Sequence, residues 1–376
     1  MIDPPFLIGL GVVTAVVVAA SWLPMRRSWM RWSVRGLSVV LALLMAASAV
    51  NARYAYLPTV ASAFGQTATD QVSWTQLRAL ERASGTGRGD GLRLGLSRRW
   101  VDLELHHGVV VSFPIPSTKS HFHARAAQVY LPPAYFESPR PFLPVIELLH
   151  GSPGSPPDWT RGGFADVTAD KYAAQNSGFA PILVMPDVNG SWTSDSECVN
   201  GTRGNAQQYL TIDVRNAIVA RFHARSDALG WAIAGLSEGA YCALQIGLRH
   251  PELYAAIGDF SGEEGPSVPG GVQRLFPGTP TQARQLAAGY DPAQILRHWN
   301  GLVRPPIWFE VGAQDVNVKA MAQLDLHARA DDFETRFVAQ QASVHSFAAW
   351  RNAFRDALPW LAGILSNSAP TDPGAA

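Results

Sequence analysis

The chain has 376 residues, 47% of them hydrophobic, enough for one large domain or two ordinary ones with a substantial core. Thirty Lys and Arg balance thirty Asp and Glu, so no net field favours a polyanion, and no basic stripe marks a nucleic-acid binder. Nucleic acid is set aside as a partner, and disorder is expected only at the edges.

The N-terminus is apolar. Phe6 to Leu23, FLIGLGVVTAVVVAASWL, is uncharged and as a helix spans about 27 Å, close to the hydrocarbon thickness of a bilayer. A second run, Gly36 to Val50, continues into Tyr54 and Tyr56, which suit an interfacial aromatic belt. Between them PMRRSWMRWSVR carries Arg26, Arg27, Arg31 and Arg35 and no acid. The positive-inside rule puts that loop in the cytoplasm and everything after residue 57 outside. Residues 1–57 are therefore expected to be a two-helix membrane anchor, touching the bilayer through residues 6–57. Two other readings stand beside it. Residues 25–52 also have the basic start, apolar middle and Ala47-Ser48-Ala49 site of a signal peptide, and a buried core-helix hairpin has similar hydropathy. Anchor and signal peptide alike export the rest of the chain.

Residues 58–100 are rich in Ala, Thr, Ser, Gly and Arg, with one helix-like piece, VSWTQLRALERA, and read as a stalk. From Trp100 short apolar runs alternate with Pro, Gly and Asp clusters. GVVVSFPI, AAQVYLP, PVIELLH, APILVMPD, LGWAIAG, YAAIGDF, PPIWFEVG and ETRFVA read as strands. AQQYLTIDVRNAIVARFHA, EGAYCALQIGLRH and SFAAWRNAFRDALPWLAGIL read as helices. Strands first and strand-helix alternation afterwards imply an α/β fold with a mostly parallel central sheet and helices on both faces, over residues 101–365. The tail, residues 366–376, is expected to be disordered.

Chemistry centres on Gly-Leu-Ser-Glu-Gly at 235–239. A Gly-x-Ser-x-Gly is weak evidence alone. Here it follows an apolar strand and opens a helix, the strand-turn-helix setting of a nucleophile elbow. Gly235 and Gly239 remove side chains that would clash across the turn. Ser237 is then presented at the C-terminal edge of the sheet, with the N–H of Glu238 free to bind an oxyanion. A serine hydroxyl needs a base to take its proton and a carboxylate to orient that base, in the chain order Ser, acid, His. His327 falls in a helical pattern, whereas His345 follows the last strand in a short loop. Asp315 stands just past the end of IWFEVG; Asp325 on the following helix and Glu310 within the strand are weaker candidates. The loop after PVIELL, HGSPGSPPDW, suits the second oxyanion donor. Ser152 offers the N–H there, since Pro153 has none, and His150 is given a structural role. His121, His123, His106 and His107 lack acid or cysteine partners at metal spacing. No metal is expected, and with no P-loop or dinucleotide fingerprint no cofactor either. Outside the cytoplasm the chain's two cysteines, Cys198 and Cys242, can form a disulfide contributing about 4 kcal/mol on a chain-entropy account; otherwise they are two buried thiols.

Together these residues resemble the esterase branch of the α/β-hydrolases, which includes S-formylglutathione hydrolases, feruloyl esterases and the antigen 85 mycolyltransferases. The similarity runs from about Val109 to Leu365, on VYLPPAY, LLHGSPGSPPDW, VMPD with the nearby SWTSDSEC, YLTIDV, GLSEGAYCAL, RHPELYAAIGDFSG and HSFAAW. The resemblance implies an α/β-hydrolase fold, Ser237 as nucleophile, His345 as base, Asp315 as acid, and Ser152 and Glu238 as oxyanion donors. The mycolyltransferases take a glutamate from further along, where this chain offers Asp325. The resemblance also favours a Cys198–Cys242 disulfide, because relatives with a DSEC loop carry a cysteine on the elbow helix. Glu238, where Met is common, and Ala240, in place of a second Gly, depart from the pattern. The Glu238 carboxylate either rests on the helix dipole or leans into the pocket, where it would welcome a cationic group such as an aminoacyl ammonium. The expected protein is an exported, membrane-tethered serine esterase acting on an ester of an envelope lipid or aminoacyl lipid. Acyl transfer to a sugar or lipid acceptor, and a non-catalytic envelope-binding module, are the alternatives.

Overall fold

The computed structural model describes residues 4–24, 27–58, 70–86 and 107–367. The chain divides into two compact units, one within residues 1–67 and one holding nearly all the rest. His106, the expected tail beyond residue 367 and most of the expected stalk lie outside the described residues.

In the first unit, α1 (Pro4–Ser21) and α2 (Ser28–Tyr54) form a hairpin. Ser38 Oγ donates to Val34 O at 2.8 Å and reaches Val17 O across the pair at 3.4 Å. Ile8, Val12, Val16, Val39 and Leu43 face outward. The expected basic loop is shorter than its sequence suggests, because Arg31 and Arg35 lie on the early turns of α2. Among the described residues, Ser28–Tyr54 is the helix long and apolar enough to cross a bilayer, while the apolar stretch Phe6–Ser21 is shorter.

In the second unit nine strands form one sheet: β1 (Asp70–Val72), β2 (Val109–Phe113), β3 (Ala127–Leu131), β4 (Val145–Leu149), β5 (Ile182–Met185), β6 (Trp231–Leu236), β7 (Ala256–Phe260), β8 (Ile307–Gly312) and β9 (Thr335–Gln340). Their order is β1-β2-β3-β5-β4-β6-β7-β8-β9. Only β3 pairs antiparallel to its neighbours. The eight strands expected from sequence all form. β3 to β8 are buried along their length, which is why their sequences read as continuous apolar runs rather than alternations.

The expected stalk is corrected over residues 70–86. β1 adds to the edge of the sheet beside β2, and α3 (Trp74–Thr86) packs Leu77 and Leu80 into the core. Glu81 on α3 accepts two hydrogen bonds from Arg221, at 2.9 and 3.1 Å, and one from Tyr135 at 2.7 Å. A bidentate Arg–carboxylate pair of this kind fixes direction as well as distance. Composition hid this, because three strand residues and two buried leucines are too few to shift a window average.

Further along the chain come the helices α4 (Ala165–Gln175), α5 (206–222, with a π-helical stretch Tyr209–Val214), α6 (Glu238–Arg249), α7 (Pro280–Ala288), α8 (Pro292–Arg297), α9 (Val318–Ala330) and α10 (Phe347–Asn367). α6 is buried almost throughout, against β6 and β7, so its sequence is apolar nearly all round.

One buried acid in the sheet gives the fold a pH dependence. Burial pushes Glu147 on β4 up from 4.5 to about 8, against the Tyr254 hydroxyl that donates to it at 3.0 Å and the charge of Arg215. Below 4.5 the carboxyl is protonated folded or unfolded and its burial carries no ionisation penalty; as pH rises toward about 8 the unfolded chain ionises first and stability falls. Glu147→Gln is expected to flatten this fall. Thermal unfolding in mildly acidic and mildly alkaline buffer checks it: the wild-type Tm should drop between the two by more than the variant's.

Candidate active site

The parallel strands β4, β6, β8 and β9 end at one edge of the sheet, and the loops after them bring the expected residues together. Ser237 follows β6 with φ 56° and ψ −125°, a conformation a non-glycine residue adopts only when its surroundings impose it. Its N–H donates to Phe260 O on β7 at 3.1 Å. A Cβ on Gly235 would lie 1.9 Å from Gly239 O, and one on Gly239 would lie 2.3 Å from Leu149 O. Both glycines are therefore obligatory at this crossing.

Ser237 Oγ lies 2.9 Å from His345 Nε2, and His345 Nδ1 lies 2.9 and 3.1 Å from the two carboxylate oxygens of Asp315. Burial opposes ionisation of Asp315, but hydrogen bonds from His345 and from Asn317 N–H outweigh it and hold the carboxyl below its usual range. The ring of His345 meets Trp350 edge-on, with centroids 4.9 Å apart. The other candidates lie elsewhere. Asp325 is bound by Arg329 and Thr335, and Glu310 by Trp308 and Gln340, while His327 sits on α9.

The turn carrying Asp315 and the loop carrying His345 are zipped together. Ala313 N–H donates to Gln340 O at 2.8 Å and Gln314 N–H to Ser343 O at 2.9 Å. Gly312 allows this, since a Cβ there would lie 2.4 Å from Ser343 O. Sequence reasoning passed over Gly312, although a glycine closing a strand just before a candidate acid signals a close backbone approach.

The loop after β4 passes against the nucleophile: a Cβ on Gly151 would lie 3.0 Å from Ser237 Cβ. His150 is buried beneath it, with Nδ1 2.8 Å from Gly151 O and Nε2 3.2 Å from both Asp187 Oδ1 and Val188 N. Asp187 is gripped by Arg125 through two guanidinium bonds, at 2.6 and 2.9 Å, and its N–H at 2.7 Å; Arg125 also donates to Gly154 O at 3.0 Å. Burial works against the Asp187 charge, and these partners hold it well below the carboxylate range all the same. Arg125 and Asp187 thus brace the loop that offers Ser152 N–H, a role the sequence did not reveal. Ser152 Oγ donates to Ser194 O at 3.4 Å. Glu238 N–H opens α6, where a first-turn donor has no helical carbonyl to meet.

The Glu238 side chain does not lean into the pocket. It is buried, accepting from Asn189 Nδ2 at 2.8 Å and Glu197 N–H at 3.3 Å. Burial, with Asp195 and Glu197 nearby, raises it well above the usual carboxylate range. Cys198 and Cys242 are joined as a disulfide across 44 positions. Among the described residues no three His, Cys, Asp or Glu are grouped to hold a metal; His107 instead lies 4.0 Å from Asp170.

An open cleft of about 810 Å³ runs from His345 over Asn317 and Val316. Glu263, Glu264 and Asp291 line it, with Arg284 as its cation. Burial, and then Asp195, push Glu263 upward despite His345. Behind Asp315, Asp259 is raised to about 7 by burial, with Asp315 adding to it and the Gly262 N–H opposing.

Sheet, elbow and strand-end loops together define an α/β-hydrolase fold. The family described as "Putative esterase" matches residues 119–361, and the chain belongs to that Esterase family. An uncharacterized protein of Corynebacterium glutamicum is 34% identical over 271 residues, 68% of this chain and 62% of that relative, so the chain spans less than two thirds of it. An S-formylglutathione hydrolase from Agrobacterium tumefaciens superposes with TM-score 0.58 at 18% identity, over 69% of this chain and 96% of its own. Mycobacterium tuberculosis MPT51 does so with TM-score 0.50 at 16% identity, over 68% and 98%. At such identities the two structures speak for the fold.

Gly312→Ala is expected to push the His345 loop off Asp315 without unfolding the sheet. Ester hydrolysis should fall about tenfold or more while the circular-dichroism spectrum is retained, a loss of about 1.4 kcal/mol in transition-state stabilisation.

Proposed function

We propose that the chain is an exported, membrane-tethered serine esterase that hydrolyses a carboxylic ester through Ser237, His345 and Asp315. The observation that carries this reading is the continuous hydrogen-bonded relay of those three side chains at the strand ends. Ser237 Oγ attacks the ester carbonyl carbon and its proton passes to His345 Nε2, while Asp315 holds the imidazole in the tautomer that can receive it. The carbonyl oxygen gains negative charge between the N–H groups of Ser152 and Glu238, each such donor contributing on the order of 10²-fold or more in rate. The C–O bond to the alcohol breaks, and His345 returns the proton to the departing oxygen. Water then attacks the acyl-enzyme, His345 taking and returning a second proton, and the free acid leaves. The balance is one water consumed for one acid and one alcohol.

In the same reading residues 1–57 are a two-span anchor, with α2 the stronger span, residues 58–100 contain the tether, and residues 101–365 carry the reaction outside the cytoplasm. The basic residues before and within the start of α2 support that orientation, and the disulfide suits an oxidising compartment. A tethered enzyme facing the envelope meets lipid-linked esters first. The acids Glu263, Glu264 and Asp291 in the cleft favour an acyl group bearing a cation, as in an aminoacyl lipid.

A fluorophosphonate probe is expected to label the wild-type chain and not Ser237→Ala; failure to label the folded wild type would sink the reading and leave a binding module. Asp315→Asn should lower kcat by about 10³- to 10⁴-fold by releasing the wrong imidazole tautomer. Incubation with total envelope lipids, read by mass spectrometry, is expected to release free acid or amino acid. A new ester formed on an added sugar acceptor would instead assign acyl transfer.

A further inference from the structure

Behind Ser237 a group of carboxyls takes no part in the proposed reaction. Glu238 sits on the first turn of α6, 1% exposed, and its two oxygens accept from Asn189 Nδ2 and Glu197 N–H. Its carboxyl is also hydrogen-bonded to that of Asp195. Four positions on, on the same face of the helix, Cys242 is bonded to Cys198. The 189–198 loop is thus fastened to the elbow helix at two points one turn apart. Within the loop, Ser196 N–H donates to Asn189 Oδ1 at 2.6 Å, and Ser196 Oγ donates to Val188 O and accepts from Cys198 N–H. At its far side Ser194 O accepts from Ser152 Oγ. One short segment therefore touches both residues whose N–H groups face the developing oxyanion.

We propose that the Glu238 side chain is a positioning residue: through Asn189, Asp195 and Glu197 N–H it locks the 189–198 loop to α6, and so sets the spacing of the Ser152 and Glu238 N–H groups. This rests on the esterase reading of the site. An acid here does what an apolar residue could not, because it reaches three partners on the loop at once. It also makes the lock conditional. Two carboxyls in hydrogen-bond contact stay together while they share a proton, and repel once both are ionised. The groups facing Glu238 and its partners are Asp195 and Glu197 on the loop, Glu263 beyond β7, Arg203 donating to Asp195 O, and Tyr241 on α6 itself. Burial and the two nearest acids favour the protonated form of Glu238. Loss of that proton in alkaline solution opens the carboxyl fastening while the disulfide holds, and shifts the donors, which act on the transition state more than on bound substrate.

The test is a neutral-to-alkaline series of kcat and KM for p-nitrophenyl esters, on the full chain in detergent, for wild type, Glu238→Gln and Glu238→Leu. The amide cannot ionise; its NH2 can donate to Asp195 and its oxygen accepts one of the two loop donors, so it keeps part of the fastening at every pH. Wild-type kcat is expected to fall about fivefold or more across the series with KM within about twofold, whereas the Gln variant's kcat holds level. The Leu variant, which loses all three partners, should have kcat lowered about tenfold or more already at neutral pH. A wild-type kcat that stays level, one that falls in parallel with the Gln variant's, or full kcat in a folded Leu variant overturns the proposal. Should the Leu variant not fold, the comparison of wild type with Gln decides alone. Fluorophosphonate labelling keeps the two ideas apart: an unlabelled wild type defeats the esterase reading itself, while labelling with parallel pH profiles defeats only the role of Glu238.

Discussion

The site depends on one crowded crossing, where the start of α6 passes over the end of β4. Gly239 lies against the carbonyls of Leu149 and His150, and Gly235 lies under Gly239. No side chain fits at either position, and this closeness forces Ser237 into its unfavourable backbone geometry. The same closeness brings the loop after β4 alongside the serine. The rest of the domain holds this crossing still. The buried strands fix its floor, Arg125 and Asp187 brace one side, and the disulfide with the Glu238 carboxyl braces the other.

Much of this was legible in the sequence because it is written in local pattern. Fully buried parallel strands read as unbroken apolar runs, and a serine between glycines after such a run announces its turn. The positions of Asp315 and His345 followed from chain order and from lying just past strand ends. Less legible were residues whose work depends on a partner far away in sequence. Arg125 and Asp187 are 62 positions apart, and neither alone differs from an ordinary loop charge. Asn189, Glu197 and Glu238 gain meaning only once the loop is folded over the helix. Gly312 was visible as a glycine, but the carbonyl it makes room for arrives from the next strand's loop. At the other end, composition classed residues 70–86 as stalk because the leucines of α3 are few and its surface is polar.

Several acids in this domain are buried with too few cations to match them. Glu147, Glu197, Glu238 and Asp259 are each raised by burial first of all, Glu197 to about 9. Neutral carboxyls serve as hydrogen-bonding groups without the desolvation penalty of a charge. Asp187 and Asp315 behave oppositely, since each meets directed donors that keep it ionised. Whether a carboxyl here is a clip or a charge is thus set by its donors rather than by its depth.

The attachment of α3 bears on how the chain can be divided. Through Leu77, Leu80 and the Glu81–Arg221 pair, a piece that precedes the first long strand by more than twenty residues is part of the hydrolase body. β1 also shields β2, which would otherwise stand as an open, apolar sheet edge of the kind that pairs with other chains. A shortened chain meant to keep this domain intact must therefore begin ahead of Asp70. One cut at the compositional boundary near Trp100 would lose a packed helix and gain a sticky edge, and its aggregation would say nothing about the chemistry of the elbow.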